Sequence, residues 1–421
     1  MLRAIITGWG AASPFGLGQN AWNEAMVSGQ PGVRRVYLFD PERPLPAQPR
    51  IGPLASQVAA QVPDFAPADF LAARDLDRVP RVVPLALAAA REALRTAGWE
   101  ALLPRERAAT GVVVGSGGGG FGFAEEQLGL WMTGHEKRVS PYAISSSIAG
   151  MLSSELSIAF GLRERSHTIS DGCTSSSDAF GYALDLIRNG RAKRLLVGGA
   201  DAPVTPGMLA GFCLMRAVST TRNHDAGRAS RPFSEDRDGF VLGEGSWMFV
   251  VEEYESARAR GANLLAEICG YGATCEAFHR VALGEPDEAA RAMNLALADA
   301  GVQEGQIDYV NLHGTATALN DPLETAAVKL VFGDRAAAVP MSSIKGQIGH
   351  PQGASGAAGI AATLAAMSTA RLPATINLER PDPRCDLDYI PNLSRAGEVE
   401  WALCNCLGFG SKNAALVVRR I

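Results

Sequence analysis

Ala4-Ile-Ile-Thr-Gly8-Trp-Gly10 opens the chain, and Leu265-Ala-Glu-Ile-Cys-Gly270-Tyr-Gly272 repeats it in kind: a β-rich run, then glycine, an aromatic residue and glycine. A motif that returns after more than half the chain points to a duplicated α/β unit. In each half a later strand hands a reactive-looking residue to a turn, Cys173 in the first and His313, after Tyr309-Val-Asn-Leu312, in the second. The boundary is expected near residues 253–262, giving an N-terminal half 1–255 and a C-terminal half 256–421.

Size and composition agree with two fused halves. The 421 residues exceed one small core, and 47% hydrophobic against 20% charged residues supports extensive burial. A net charge of −5 gives no reason to expect nucleic acid as a general partner. The seven cysteines include no C-x-x-C pair, which argues against a disulfide framework or a zinc site, so no metal is expected. The N-terminus runs straight into a strand with no signal-like apolar stretch, and no apolar run reaches the ~18 residues of a membrane span. A cytoplasmic protein is expected.

Between the two repeats, the Pro- and Arg-rich segment from Val36 to Pro67 reads as excursion loops, and Pro84–Ala97 as a helix stopped by Gly98. Val112–Val114 reads as a buried strand running into Gly115-Ser-Gly-Gly-Gly-Gly120. That run fits G-x-G-x-x-G literally. A dinucleotide fingerprint wants the first strand, a helix opening at once and an acidic residue ~20 positions on, whereas His135-Glu-Lys-Arg-Val-Ser-Pro141 stands there. The glycines are expected instead to let backbone lie close to a bound chain or to itself.

His167-Thr-Ile-Ser-Asp-Gly172 then leads as a polar strand into Cys173 and a helix reaching Arg188, with Asn189-Gly190 as its stop. At a helix start, unpaired amides and the macrodipole favour a thiolate, the nucleophilic form; a buried structural cysteine is the competing reading. The second half adds two histidines at glycine-flanked strand ends, in Asn311-Leu-His313-Gly-Thr315-Ala-Thr317-Ala-Leu-Asn-Asp321-Pro-Leu-Glu324 and in Ser342-Ser-Ile-Lys345-Gly-Gln-Ile-Gly349-His350-Pro-Gln-Gly353-Ala-Ser-Gly356. Strand-end loops are where α/β enzymes collect polar groups.

Cys173-Thr-Ser, the His313 and Lys345–His350 motifs, and Leu407-Gly-Phe409-Gly-Ser-Lys-Asn413 together resemble the β-ketoacyl-acyl carrier protein synthases, type II elongating branch. The similarity runs from the opening Thr-Gly-x-Gly to the final strand Ala415–Val418. It implies a thiolase fold, two similar halves in five α-β-α-β-α layers, normally a homodimer with ping-pong chemistry. Cys173 would take an acyl group from a thioester, with the tetrahedral oxyanion held by the amides of Cys173 and Phe409, the latter gatekeeper-like. Loss of CO2 from a malonyl thioester leaves an enolate whose oxygen His313 and His350 would stabilise through ring N–H groups. Lys345 would pair with Glu324 and hold the histidine loops. Thr315 and Thr317 would offer hydroxyls to the phosphopantetheine arm, and Gly118 and Phe212 would contact the acyl substrate. No cofactor is expected on the enzyme itself, since substrates ride on acyl carrier protein; Lys137, Arg138 and Arg216 would dock it, with Arg74, Arg78 and Arg81 as a further basic face.

Three departures from the family pattern stand out. The usual Phe-Gly-Phe-Gly-Gly-Thr-Asn is Leu407-Gly-Phe-Gly-Ser411-Lys412-Asn413 here, so the motion of the Phe409 gate is expected to differ. Asp171 stands two positions before Cys173, where it would raise the thiol pKa if it faced the sulfur; it is expected to point away. Gly118 replaces what is often a branched apolar residue at the floor of the acyl pocket, so the pocket is expected to be deeper or wider. The alternatives are a specialised polyketide or polyene ketosynthase paired with a Cys-less, chain-length-factor-like subunit, a non-catalytic scaffold subunit, a degradative thiolase and an NAD(P) enzyme.

Overall fold

The computed structural model describes residues 1–44 and 52–421. Ten strands carry the fold: β1 (Ala4–Ser13), β2 (Gly111–Gly115), β3 (Ser166–Ile169), β4 (Arg194–Asp201), β5 (Gly245–Glu253), β6 (Ala266–Cys275), β7 (Tyr309–Asn311), β8 (Met341–Ser342), β9 (Trp401–Gly408) and β10 (Lys412–Arg420). Their spatial order is β8-β7-β9-β10-β6-β1-β5-β4-β2-β3. Read outward from the central β1–β6 ladder, the two sides have the same pattern. β5 and β10 pair antiparallel to β1 and β6, β4 and β9 antiparallel to those, and β2, β3 and β7, β8 follow in parallel. Even the irregularities correspond: the β1–β5 register slips between Ile6 and Gly8, and the β6–β10 register between Ile268 and Gly270.

The repeated glycines have a packing reason. A Cβ on Gly10 would lie 2.3 Å from the carbonyl of Ala89, and one on Gly272 would lie 2.2 Å from that of Ala292. Helices α1 (Val82–Thr96) and α4 (Asp287–Ala300) therefore rest with their backbones directly on β1 and β6.

Side chains alternate across each strand, so each sheet half feeds two cores. Val112, Val114, Leu196 and Met248 pack outward against α1 and α2 (Met151–Phe160). Val310, Leu403 and Val417 pack outward against α4 and α5 (Asn320–Phe332). Val113, Val197, Phe249, Leu416 and Val418 face inward on α3 (Ser175–Arg188) and α6 (Ser355–Thr369). α6 is buried along nearly its whole length, as a helix between the two halves of the sheet must be, and its Ala- and Gly-rich sequence allows that close approach. The result is five layers, the thiolase arrangement.

Two expectations need correction. The Val36–Pro67 segment is not all loop: Val58–Ala60 forms a small sheet with Val33–Arg35 and Leu242–Gly243, although residues 45–51 lie outside the described part. Arg74, Arg78 and Arg81 do not share one helix face, because a short 3-10 turn ends at Asp75 and α1 begins at Val82. Arg81 is tied by a two-pronged ion pair (2.7 and 2.8 Å) to the buried Glu244, and Arg78 leans on Asp75 and the Tyr142 ring. Burial turns Arg81 into a structural cation.

Candidate active site

Cys173 sits in a single 3-10 turn, Gly172–Thr174, between β3 and α3, and is 4% exposed. Its turn is knitted locally: the Ser175 hydroxyl donates to the Gly172 carbonyl (2.6 Å), and the Asp171 amide donates to the Ser175 hydroxyl (2.8 Å). Gly172 takes a positive φ of 73°, which lets the strand turn sharply into the helix. In the second half β8 corresponds to β3, and the loop after it carries Lys345 and His350 before α6; β7, which delivers His313, corresponds to β2 and the glycine run. Cys173 and His313 therefore come from strands in non-equivalent positions.

The three reactive groups converge. The Cys173 sulfur and nitrogens of His313 and His350 lie within 4.8 Å of one another, and all three residues are buried. His350 Nε2 is 3.2 Å from Cys173 Sγ, and the two imidazoles meet edge to face at 5.2 Å. They line a cavity of about 270 Å³ together with Thr315, Thr317 and Phe409, with exposed Arg216 among its outer residues. The Thr315 and Thr317 hydroxyls stand 3.1 Å apart along that wall.

Burial dominates the electrostatics. It pushes the Cys173 thiol up to about 11, against the pull of the Phe409 amide, Lys345 and the residue's own amide. The thiolate expected from the helix start is thus not the resting form. Burial also drives both histidines well below their ordinary value, helped by the nearby Lys345, so both rest neutral. Ser355 donates its proton to the Gln352 carbonyl (2.7 Å), so its oxygen accepts from His350 Nδ1 (3.1 Å). That assignment leaves the Nε2 lone pair facing the thiol proton.

Lys345 and Glu324 hold the His313 turn, though not as the expected direct pair. Lys345 Nζ donates to the His313 carbonyl at 2.6 Å. Glu324 accepts from the backbone N–H groups of His313 and Gly314, each at 2.7 Å, and from Asn405 Nδ2 at 2.7 Å. Burial raises the Glu324 carboxyl to about 6 while those donors and Lys345 pull it down.

The glycine run Gly115–Gly120 lies close to its own protein. A Cβ on Gly115 would fall 2.2 Å from the Ser176 amide. Its free amides are occupied by an internal anion: buried Asp201, at the end of β4, accepts from Gly117 N (2.7 Å), Gly118 N (2.9 Å), Ser116 Oγ (2.8 Å) and, across the halves, Gly353 N (2.7 Å). Where a dinucleotide fingerprint would place a pyrophosphate, this chain places a carboxylate. Gly118 is not among the residues lining the Cys173 cavity; a Cβ there would meet only Asp201 Oδ1, at 3.4 Å. Phe212 also stands behind the cavity wall, tilted against Phe409 at 6.5 Å and edge-on to Phe240 at 5.2 Å; Phe240 in turn meets His350 at 5.3 Å. Lys137 and Arg138 occupy an exposed 3-10 turn, Glu136–Arg138, outside the cavity lining.

Asp171 faces away from the sulfur and pairs with Lys412 at 2.7 Å, so two of the three departures in the sequence meet each other. Sequence reasoning missed Asp201, Ser355 and Cys406. Cys406 Sγ lies 3.1 Å from the Cys173 carbonyl and 3.5 Å from His313 Nδ1. Its thiol donates to the Cys173 carbonyl, the nearer of the two, and its sulfur packs beside His313 Nδ1. The one available signal was alternation, since β9 points Cys404 toward the helices and Cys406 lies two residues along the same face.

The chain matches the model of the beta-ketoacyl synthase N-terminal domain over residues 3–257 and of the C-terminal domain over residues 265–379. It is 38% identical over 422 residues to 3-oxoacyl-[acyl-carrier-protein] synthase 2 of Synechocystis sp., covering 99% of this chain and 98% of that protein. Among solved structures it is similar to a type II PKS ketosynthase in complex with its acyl-carrier protein and bound to the hexaketide (TM-score 0.89, 29% identity, 100% of each chain). It is equally similar to the ishigamide ketosynthase/chain length factor (TM-score 0.89, 32% identity, 100% and 99% covered). The chain belongs to the beta-ketoacyl synthase family.

Proposed function

We propose that the protein is a 3-oxoacyl-[acyl-carrier-protein] synthase that joins a Cys173-bound acyl group to a malonyl unit with loss of CO2, using cytoplasmic acyl carrier protein. The observation that carries this reading is the convergence of one thiol and two neutral imidazoles inside 4.8 Å in a buried cavity.

In the first step the Cys173 thiol gives its proton to His350 Nε2 as sulfur attacks the acyl carbonyl. The amides of Cys173 and Phe409, which already act on the sulfur, receive the oxyanion. The carrier thiolate leaves and takes the proton from His350. In the second step the malonyl carboxylate departs as CO2 and its electron pair forms an enolate. His313, held by Glu324 and Lys345, is the N–H donor to the enolate oxygen. The enolate carbon then attacks the acyl-Cys173 carbonyl, and the sulfur leaves as a thiolate and takes up one proton from solvent, the proton that the condensation consumes. As a neutral ring, His350 serves as a second enolate donor only in the tautomer with its proton on Nε2, which requires the Ser355 hydroxyl to turn from Gln352 toward Nδ1.

Thr315 and Thr317 on the cavity wall suit a phosphopantetheine arm, and Arg216 at its edge suits the acidic carrier, with Lys137 and Arg138 as further contacts. The two halves are taken as 1–255 and 256–421. A homodimer completes the reading. β3 ends the sheet, and the neighbouring segment exposes Trp131, Met132, Ile144 and Ile158, an apolar face that a second copy would cover. A paralogous chain-length-factor-like subunit is the second candidate for that face, because the ishigamide ketosynthase is paired with such a factor.

Intact-mass spectrometry after incubation with a panel of acyl-carrier substrates tests the reading. One acyl adduct per chain, lost in Cys173→Ala, is the expected result. Acylation that survives this substitution would refute it.

A further inference from the structure

The two amides assigned to the oxyanion belong to turns far apart in sequence. Cys173 lies in the β3–α3 turn, and Phe409 in the three-residue hairpin Phe409-Gly410-Ser411 that joins β9 to β10, where Gly408 pairs with Lys412. Something must hold these turns in register, because a misplaced donor contributes little. The backbone of the hairpin is anchored on its far side by the 276–280 loop: Gly410 N donates to the Arg280 carbonyl (2.9 Å), and Glu276 N donates to the Ser411 carbonyl (2.8 Å).

Two side chains strengthen that hold. Ser411 adopts φ 63°, a left-handed conformation that favours glycine, and its hydroxyl accepts from His279 N (3.2 Å) and donates to the His279 carbonyl (3.0 Å). Lys412, the first residue of β10, reaches from the hairpin to Asp171 on the nucleophile turn (2.7 Å). Asp171 is two residues before Cys173, and Lys412 is three after Phe409. This ion pair joins the two turns that carry the assigned oxyanion donors.

We propose that the Asp171–Lys412 pair clasps the Phe409 hairpin to the Cys173 turn, with Ser411–His279 bracing the hairpin from its far side, making Lys412 and Asp171 positioning residues for thioester attack. The clasp works as a reversible contact, since both members of the ion pair are about two-fifths exposed (40% and 37%). An exposed pair of this kind shifts an opening equilibrium by at most about fivefold. The hairpin can therefore still open, but it spends less time open than it would without the pair. The role assigned to the Phe409 amide rests on the reaction proposed above; the clasp itself does not.

The test uses the full-length chain, with hydrogen exchange of the 408–412 amides and acylation of Cys173 by a small acyl thioester surrogate, which removes carrier docking from the readout. Lys412→Thr is expected to speed exchange in the hairpin and to slow acylation, the two fold-changes multiplying to about fivefold because one reads the open and the other the closed population, with KM for the surrogate unchanged. Lys412→Arg should retain both wild-type values, and the reversed pair Asp171→Lys with Lys412→Asp should recover them. Asp171→Asn serves as a second single variant if Lys412→Thr does not fold. Unchanged exchange in the single variants, or a reversed pair no better than either single change, would overturn the clasp. Faster exchange with unaltered acylation would leave the ion pair as a brace of the hairpin and overturn Lys412 and Asp171 as positioning residues for thioester attack.

Discussion

The loops that follow β2 and β7 occupy corresponding places in the two halves and are braced by the same device. After β2, Asp201 accepts from the amides of Gly117 and Gly118; after β7, Glu324 accepts from those of His313 and Gly314. Each carboxylate is fully buried and pulled upward in pKa by that burial. Yet one loop lines no part of the cavity, and the other presents an imidazole to it. The bracing is a property of the duplicated scaffold, and the chemistry is a side chain placed on one copy of it.

The most severe break in that comparison is His313→Ala. It should lower malonyl decarboxylation and condensation on the order of 10²–10³-fold while leaving acylation of Cys173 nearly intact, as separate mass-spectrometric and CO2-release assays would read. The braces come next. Asp201→Ala and Glu324→Ala each strand several buried amides and should each cost about 3 kcal/mol in urea unfolding. If only one of them did, the parallel between the loops would fail.

A pH profile sharpens the contrast further. The ionised Glu324 carboxylate binds two amides and Asn405 at once, so condensation should rise with pH through about 6, and Glu324→Gln should remove that limb. Its stability contribution runs the other way. With a folded pKa of about 6 against an ordinary value of 4.5, the folded state binds the extra proton between those values. That contribution is complete below 4.5 and is lost as pH rises through about 6. A smaller effect is expected for Cys406→Ala, about a fivefold loss in condensation, the worth of one weak hydrogen bond to the Cys173 carbonyl and of the sulfur packed beside His313. The smallest is Gly118→Ala, in the loop corresponding to that of His313, where the added methyl meets nothing nearer than 3.4 Å; the rate should stay within about twofold of wild type and the unfolding free energy within about 0.5 kcal/mol.

Much of this was legible in the sequence because it is written in local pattern. The Gly-aromatic-Gly repeat located β1 and β6 and the doubling, and the helix read over Pro84–Ala97 is α1, Val82–Thr96. Cys173, His313, Lys345 and His350 were recognisable because each sits in a motif at a strand end. What was not legible depends on contacts between distant segments. Nothing near Asp201 says that its carboxylate will meet amides of Gly117 and Gly353. The Asp171–Lys412 pair spans 241 positions, and each partner alone looked like an anomaly. The thiol pKa was misjudged for the same reason: helix-start polarity is local, whereas the burial that outweighs it is assembled from both halves.

Asp201 binds amides from both sides of the doubling, Gly117 and Gly118 from one and Gly353 from the other. The loop bearing His350 is thereby anchored to a residue encoded more than a hundred positions earlier. A polypeptide severed at Gly261, in the exposed turn between β5 and β6, would have all of its catalytic side chains distributed over two fragments, with the nucleophile on one and both imidazoles on the other. Reassembly along the β1–β6 seam would restore the sheet, and His350 would be brought to the thiol by bonds that cross the halves: Gly353 N to Asp201, His350 N to the Val241 carbonyl (2.7 Å) and Gly243 N to the His350 carbonyl (3.0 Å). Those few bonds make the two fragments one reaction centre.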